Sequence, residues 1–206
     1  VDETADYVIG CLGGGSNFGG TILPFVRDKI NGKTPNVRCI AVESKAAPKM
    51  TKGKYLYDYG DSSGMTPLLK MFTIGHSFIP APVHAGGLRY HGCAPTLSYL
   101  LKNKVIEGEA YPQLSAFKAA DLFAKTEGLV PAPETSHAIK ATMEHARKYP
   151  ENGGNDRPVI VFTFSGHGLL DLFGYEKYFA KKLENHSLNE SKLHKSLSEI
   201  PDIAQN

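Results

Sequence analysis

A short apolar run that ends abruptly in three glycines constrains the fold of this chain most. Residues 7–12 have the length and composition of a buried strand, and residues 13–17 read Gly-Gly-Gly-Ser-Asn. Bare backbone N–H groups in such a turn can point at one anion, and a helix starting next adds the field of its positive end. By themselves these glycines indicate only a tight turn. The ligand that such a cluster of N–H groups favours is a phosphate or a cofactor's phosphate arm, and the run matches neither Gly-x-Gly-x-x-Gly nor a lysine-bearing phosphate loop.

The composition indicates a soluble globular chain. Hydrophobic residues make up 41% and charged residues 21% of the 206 residues, as in ordinary globular domains. A net charge of +2 gives no reason to expect a nucleic-acid or membrane partner. We find no signal peptide and no long apolar span, and Cys11, Cys39 and Cys93 lack metal-binding spacing. We therefore expect a cytoplasmic protein with reduced cysteines and no metal site.

Hydrophobic patterning predicts an α/β fold. Strands are predicted over residues 6–12, 37–43 and 158–164, and helices over residues 18–30, 96–102, 114–127 and 137–148, the last capped by Thr135 or Ser136. Strand, glycine turn, helix and strand in that order are typical of a βαβ unit with parallel strands. Pro24 should kink the first helix or delay its start.

Residues 44–95 are rich in Gly, Pro, Tyr and His. Little regular structure is therefore predicted for them, apart from one short helix near residues 65–72. Four lysines of this stretch are interpreted as solvated: Lys45, Lys49, Lys52 and Lys54. Residues 1–184 are expected to form one cofactor-binding domain, and residues 185–206 a polar tail that is a surface helix or a frayed end.

Two predicted strands end in small polar residues, at residues 13–17 and at residues 165–168. Ligands of open parallel sheets bind outside the carboxyl ends of the strands, so the two turns should face one crevice. The glycine turn offers an anion cradle, and Ser165 offers a hydroxyl beside glycines that let a flat ring approach. The residues alone indicate a phosphorylated ligand, for which pyridoxal phosphate is the obvious candidate.

Four motifs resemble the tryptophan synthase β chain, and most closely its second branch. They are GGGSN at residues 13–17, GGLRYHG at residues 86–92, EGLVPAPE at residues 127–134 followed by SHA at residues 136–138, and SGHG at residues 165–168. They follow the family order and match only the C-terminal part of a family member. The resemblance implies a fold-type-II pyridoxal-phosphate enzyme, with a parallel sheet and flanking helices, of which this chain is the C-terminal portion of a larger two-domain architecture.

The resemblance also implies an activity and a set of site residues. The activity is that of a lyase of tryptophan biosynthesis that joins L-serine and indole into L-tryptophan and water. Ser165 would hydrogen-bond the pyridine nitrogen, and Glu134 would be the acid–base group that helps hydroxide leave serine and then steers indole. Five residues would hold the cofactor phosphate: Gly13, Gly14, Gly15, Ser16 and Asn17. Because a serine cannot keep the ring nitrogen protonated as an aspartate would, such a ring favours β-elimination and β-replacement.

Simpler interpretations of these residues stay open. Glu134 could be a carboxylate that stabilises a helix N-terminus, and Ser165 could belong to a plain strand-end turn. His137 is interpreted as a structural residue at a helix start. At the level of function, the alternatives are a serine or threonine deaminase of the same fold and a non-catalytic module that binds a phosphorylated ligand.

Two parts of the family's active site are expected to lie outside this chain. In the family, an N-terminal motif carries the lysine that binds the cofactor covalently, and the loop that binds the substrate carboxylate is also upstream. Because the chain lacks an initiator methionine and reaches a strand within a few residues, we interpret it as a fragment or processed product that is inactive alone. The resemblance further implies a homodimer, whereas pairing with an indole-producing α subunit is not favoured for the second branch.

Overall fold

A four-stranded parallel sheet lies at the centre of the structure, a computed structural model that describes residues 3–148 and 157–203. The strands are β1 (Tyr7–Cys11), β2 (Arg38–Ser44), β3 (Lys54–Tyr59), β4 (Leu68–Thr73), β5 (Glu107–Tyr111) and β6 (Ile160–Phe162). The helices are α1 (Ser16–Ile30), α2 (Lys49–Lys52), α3 (Pro95–Lys102), α4 (Gln113–Glu127), α5 (Pro133–Ala146), α6 (Leu172–Phe179) and α7 (Glu190–Ser198). The sheet order is β5-β2-β1-β6, with every neighbouring pair parallel. The predicted α/β fold is confirmed.

Helices cover both faces of the sheet. Side chains of a strand alternate between its faces, so Val8 of β1 packs in one cluster with Phe18 and Ile22 of α1. Ile9 points the other way and packs in a second cluster with Ala138 of α5. All five residues of β1 are buried, as is typical of a strand inside a parallel sheet. The glycine turn that follows β1 therefore starts from a rigid, fully buried support.

The first and fifth helices begin earlier than predicted. Helix α1 starts at Ser16 and runs past Pro24, so the proline does not delay its start; the ring lies on the exposed side, where water can satisfy the freed carbonyl. Helix α5 starts at Pro133, whose fixed φ suits a first helical position. Thr135 and Ser136 are consequently inside the helix, and the prediction that one of them caps it is wrong.

Residues 44–95 contain more regular structure than predicted. The short helix expected near residues 65–72 is wrong, because Leu68–Thr73 forms β4, which pairs with β3 in an antiparallel hairpin. The expectation that four lysines here are solvated is wrong for one of them: Lys49 is 0% exposed, whereas the other three are exposed. Its ammonium lies near the equally buried Glu43 and donates a hydrogen bond to Leu12 O.

The remaining differences concern the sheet edges and the C-terminal segment. Strand β6 is a half-buried edge strand of three residues, shorter and less buried than the predicted strand over residues 158–164. Strand β5 and helix α6 were not predicted. The predicted surface helix of the tail is α7, and Leu193 packs against Ile74 and Phe78. Within the described residues no helix is both long and apolar enough to cross a membrane.

Candidate active site

A cavity of about 330 Å³ opens at the carboxyl ends of β1 and β6. Its volume is at the lower end of what ligand sites provide, on the order of 300–1,000 Å³. All seven residues singled out from the sequence line it: Gly13, Gly14, Gly15, Ser16, Asn17, Glu134 and Ser165. Further lining residues are Cys11, Phe18, Gly87, Leu88, Tyr90, Ala132, Thr135 and Gly166. The two turns thus face one crevice, as the strand order predicts.

The glycine turn has the backbone geometry of an anion cradle. Gly15 has a φ of 118°, a left-handed conformation that side chains other than glycine rarely adopt. A Cβ on Gly13 would lie 1.9 Å from the Gly87 carbonyl oxygen, so only glycine fits there. Within the described residues, no acceptor contacts the backbone N–H groups of Gly13, Gly14 or Gly15. These donors, with the N-terminus of α1 beside them, fit a phosphate group.

The opposite wall of the cavity is held by a bridge between two chain segments. Ala132 N donates to Gly166 O at 2.8 Å, and Gly168 N donates to Val130 O at 2.7 Å. These bonds fix the turn after β6 against the residues that precede α5. As a result, Ser165 and the first turn of α5, with Glu134, lie on the same side of the cavity.

The Ser165 hydroxyl has two neighbours that orient it. Thr135 Oγ1 lies 3.1 Å from Ser165 Oγ and 3.2 Å from Gly166 O; when the Thr135 hydroxyl donates to Ser165 Oγ, the Ser165 hydrogen is free for another acceptor. Cys11 Sγ lies 3.4 Å from the same Ser165 oxygen. Burial raises the pKa of the Cys11 thiol, so the thiol stays protonated at neutral pH. A neutral hydroxyl in this setting can donate to an unprotonated ring nitrogen.

Glu134 is held by a backbone donor from the other side of the cavity. Gly87 N donates to Glu134 Oε1 at 2.8 Å. Because Oε1 is occupied, Oε2 is the oxygen available to hold a proton. Glu134 also lies in the first turn of α5, where a carboxylate is favoured by the helix dipole. The helix-start interpretation and the cavity location therefore apply together.

Eight lining residues escaped the sequence-based site assignment, among them Cys11, Gly87, Tyr90 and Thr135. Gly87 and Tyr90 belong to the motif at residues 86–92, so the dense glycine and aromatic pattern was the available signal. Thr135 follows Glu134 directly, but nothing in a single sequence shows that it reaches Ser165.

His137 lies away from the cavity, in agreement with its structural interpretation. Its side chain is 1% exposed, and its Nδ1 lies 2.8 Å from Pro133 O. Burial lowers the pKa of His137 to about 4, so the ring is neutral and Nδ1 carries the donated hydrogen. Among the described residues, no group of three or more His, Cys, Asp or Glu side chains could hold a metal ion.

Comparison with proteins of known sequence finds close relatives. The chain is 55% identical over 188 residues to the tryptophan synthase beta chain of Thermococcus onnurineus, covering 91% of this chain and 42% of that protein. It is 54% identical over 175 residues to tryptophan synthase beta chain 2 of Thermotoga maritima, covering 85% of this chain and 40% of that protein. The chain thus spans about two fifths of the length of these relatives.

A solved structure and a family model agree with the fold. An L-serine ammonia-lyase from Rhizomucor miehei superimposes with a TM-score of 0.60 at 16% identity, covering 88% of this chain and 51% of that chain. At this identity the likeness concerns the fold alone, which is fold type II. The family model described as pyridoxal-phosphate dependent enzyme matches residues 1–166. The chain belongs to the family of pyridoxal-phosphate-dependent enzymes.

Proposed function

We propose that the protein is a tryptophan synthase β enzyme, which joins L-serine and indole to give L-tryptophan and water. The observation that carries this proposal is the crevice that brings Glu134 and Ser165 together with the glycine turn. Identities of about 55% to proteins named tryptophan synthase beta chain support it. The solved structures of a serine ammonia-lyase and a threonine deaminase match this chain at 16% identity. This similarity supports the same fold for this chain, but not the same reaction.

The cofactor would be held at its two ends by different parts of the chain. The backbone N–H groups of the turn at residues 13–17 would bind the phosphate, and the α1 dipole would add to the attraction. The Ser165 hydroxyl would donate to the ring nitrogen, with Thr135 holding its orientation. When bound, pyridoxal phosphate supplies an electron sink for the amino-acid substrate. The neutral hydroxyl keeps that sink weak, which suits loss and replacement of a β-substituent.

Glu134 would move the proton that the reaction needs. Hydroxide is a poor leaving group, so a proton must reach the serine hydroxyl oxygen as its bond to carbon breaks. Glu134 Oε2 would donate that proton, while Gly87 N keeps Oε1 fixed. The resulting carboxylate would then accept a proton as indole is joined. The walls formed by Leu88, Phe18 and Tyr90 would limit the access of water.

The proposal is tested by the products formed from serine. The full protein, loaded with pyridoxal phosphate, is incubated with L-serine with and without indole, and tryptophan, pyruvate and ammonia are measured. We expect tryptophan to form with indole, with little pyruvate from serine alone. Pyruvate and ammonia as the main products, with no tryptophan, would identify a deaminase. Phosphate-dependent cofactor binding without any turnover would identify a binding module.

We further propose a homodimer in the cytoplasm, with small-molecule substrates and no nucleic-acid partner. Support comes from the similarity to tryptophan synthase beta chains; the large apolar side chains exposed along α6 and the turn before it, including Leu170 at 87% and Phe173 at 62%, form a surface for a second copy or for the rest of the full protein to cover. Light scattering of the full protein would give its mass, and a monomer at micromolar concentration would contradict the dimer. The same measurement with an added tryptophan synthase α subunit would detect any complex.

A further inference from the structure

A lysine ammonium is buried directly behind the glycine turn. Lys49 and Glu43 are both 0% exposed, with Lys49 Nζ 3.7 Å from Glu43 Oε2. Burial of two charges costs several kcal/mol per ion unless good geometry offsets it. A loose ion pair of this length offsets it poorly. The position of the ammonium therefore calls for a reason beyond the stability of the pair.

The ammonium bonds the last residue before the glycine turn. Lys49 Nζ donates to Leu12 O at 3.2 Å, and Leu12 N donates to Val42 O at 2.7 Å. Leu12 follows β1 and directly precedes Gly13. Neither Leu12 nor Lys49 lines the cavity. The Leu12 carbonyl is thus satisfied by a buried cation whose residue does not line the cavity.

Glu43 is anchored without help from the lysine. Its carboxylate accepts hydrogen bonds from Met50 N at 3.0 Å, from Thr51 N at 2.9 Å and from Thr51 Oγ1 at 2.8 Å. Three such bonds stabilise an ionised carboxylate. Burial lowers the pKa of Lys49 and raises that of Glu43, and in each case the charge of the partner opposes the shift. Glu43 therefore acts as the fixed counter-ion that keeps the lysine charged and in place.

We propose that Lys49 is a positioning residue of the phosphate cradle, because its ammonium holds the Leu12 carbonyl behind the glycine turn and places a fixed positive charge beneath the bound phosphate. This inference rests on the proposed cradle at residues 13–17. A carbonyl held away from the cavity keeps its negative end off the phosphate. A buried cation is weakly screened, so its attraction for a dianionic phosphate persists at physiological salt.

The test compares ligands with and without a phosphate. Affinities of the full protein for pyridoxal phosphate, pyridoxal and inorganic phosphate are measured by calorimetry. We expect Lys49→Met to lower the affinity for pyridoxal phosphate and for inorganic phosphate about tenfold and to leave the affinity for pyridoxal unchanged. The matched control is Lys52→Met, which removes an exposed lysine three residues away and should change none of the three. Equal phosphate affinities in Lys49→Met and the unchanged protein would overturn the proposal.

Two further variants distinguish this role of Lys49 from two alternatives: that Lys49 only neutralises Glu43, and that residues 13–17 do not bind phosphate. The double variant Lys49→Met with Glu43→Gln removes both buried charges; recovered phosphate affinity would show that Lys49 only neutralises Glu43. Gly13→Ala disrupts the cradle itself. If Gly13→Ala weakens phosphate binding while Lys49→Met does not, the cradle stands and the Lys49 role falls. If neither variant changes binding, the cradle is wrong.

A measurement on the unsubstituted protein covers the case in which the variants do not fold. The protein is labelled with ¹⁵N at lysine side chains, and the Lys49 ammonium is observed by NMR as inorganic phosphate is added. We expect a slowly exchanging signal in the charged form that shifts on phosphate binding. A signal that stays constant at saturating phosphate would contradict the proposal.

Discussion

Gly87 and Glu134, which are 47 positions apart, meet across the cavity through a 2.8 Å hydrogen bond from the Gly87 N–H to Glu134 Oε1. The bond ties the short 3₁₀ turn at Gly86–Leu88 to the start of α5. It also leaves one carboxyl oxygen free. The position of the Glu134 carboxyl group is therefore set by backbone on one side and by a helix terminus on the other.

Removing the Glu134 carboxyl should stop synthesis without loss of cofactor. We expect Glu134→Ala and the isosteric Glu134→Gln to lower tryptophan formation about 100-fold or more, since neither can donate the required proton. Pyridoxal phosphate affinity should stay unchanged, because the phosphate and ring donors belong to other residues. Full turnover by either variant, measured with serine and indole, would contradict the assigned role.

Two adjacent glycines provide a matched test of how Glu134 is positioned. A Cβ on Gly87 would lie 3.1 Å from Glu134 Oε1, whereas a Cβ on Gly86 would meet nothing within 4 Å. We expect Gly87→Ala to lower kcat about tenfold by displacing the carboxyl group. Gly86→Ala should leave kcat unchanged. Equal kcat values for the two variants would show that the hydrogen bond does not control catalysis.

The cradle is tested by a second pair of glycines. Gly13→Ala forces a Cβ against the Gly87 carbonyl oxygen, at 1.9 Å without relaxation. Relief of this overlap displaces the turn, and restoring the binding geometry then costs about 2 kcal/mol, so pyridoxal phosphate affinity should fall about 30-fold. Gly20 lies on the exposed side of α1, where an added Cβ would have no atom within 4 Å. The substitution Gly20→Ala should therefore stabilise the fold by about 1 kcal/mol. Calorimetry and urea unfolding measure the two effects, and unchanged affinity in Gly13→Ala would contradict the cradle.

The glycine turn and its place at the cavity could be predicted because their signal is local. A buried strand followed by glycines specifies the turn, and the parallel order of β1 and β6 then brings Ser165 to the same edge. The start of α5 at Pro133 was harder to predict, since Thr135 and Ser136 have the composition of helix caps. The bridge between residues 130–132 and 166–168 fixes that start instead.

Long-range pairing explains what the sequence did not show. Strand β5 has the sequence EGEAY, which has little strand propensity, and it forms because its backbone pairs with β2. The burial of Lys49 depends on Glu43 and Leu12, which are brought to it by folding. The bond between Gly87 and Glu134 is of the same kind. Each of these features depends on partners that are distant in sequence or on another element, and a single sequence does not encode them visibly.

The hydroxyl pair of Ser165 and Thr135 should act as a unit. Ser165→Ala should lower the affinity for pyridoxal phosphate about fivefold, because it removes one hydrogen bond worth about 1 kcal/mol. Thr135→Val keeps the shape but removes the oxygen 3.1 Å from Ser165 Oγ, and should weaken binding by a similar factor. The double variant should bind pyridoxal phosphate no more weakly than either single variant. Additive losses in the calorimetric cycle would show that Thr135 acts independently of Ser165.

Burial of His137 should make stability depend on pH. The folded-state pKa is lowered to about 4, against about 6.5 in the unfolded chain. Between these values the unfolded state binds more protons, so the stabilisation is complete above pH 6.5 and is lost as the pH falls towards 4. The full window is worth about 3 kcal/mol. Urea unfolding should show this dependence of the free energy of unfolding on pH in the unsubstituted protein and in the control His194→Gln, which changes an exposed histidine. The variant His137→Gln should not show it. An equal slope in all three would mean that His137 charges freely in the folded state.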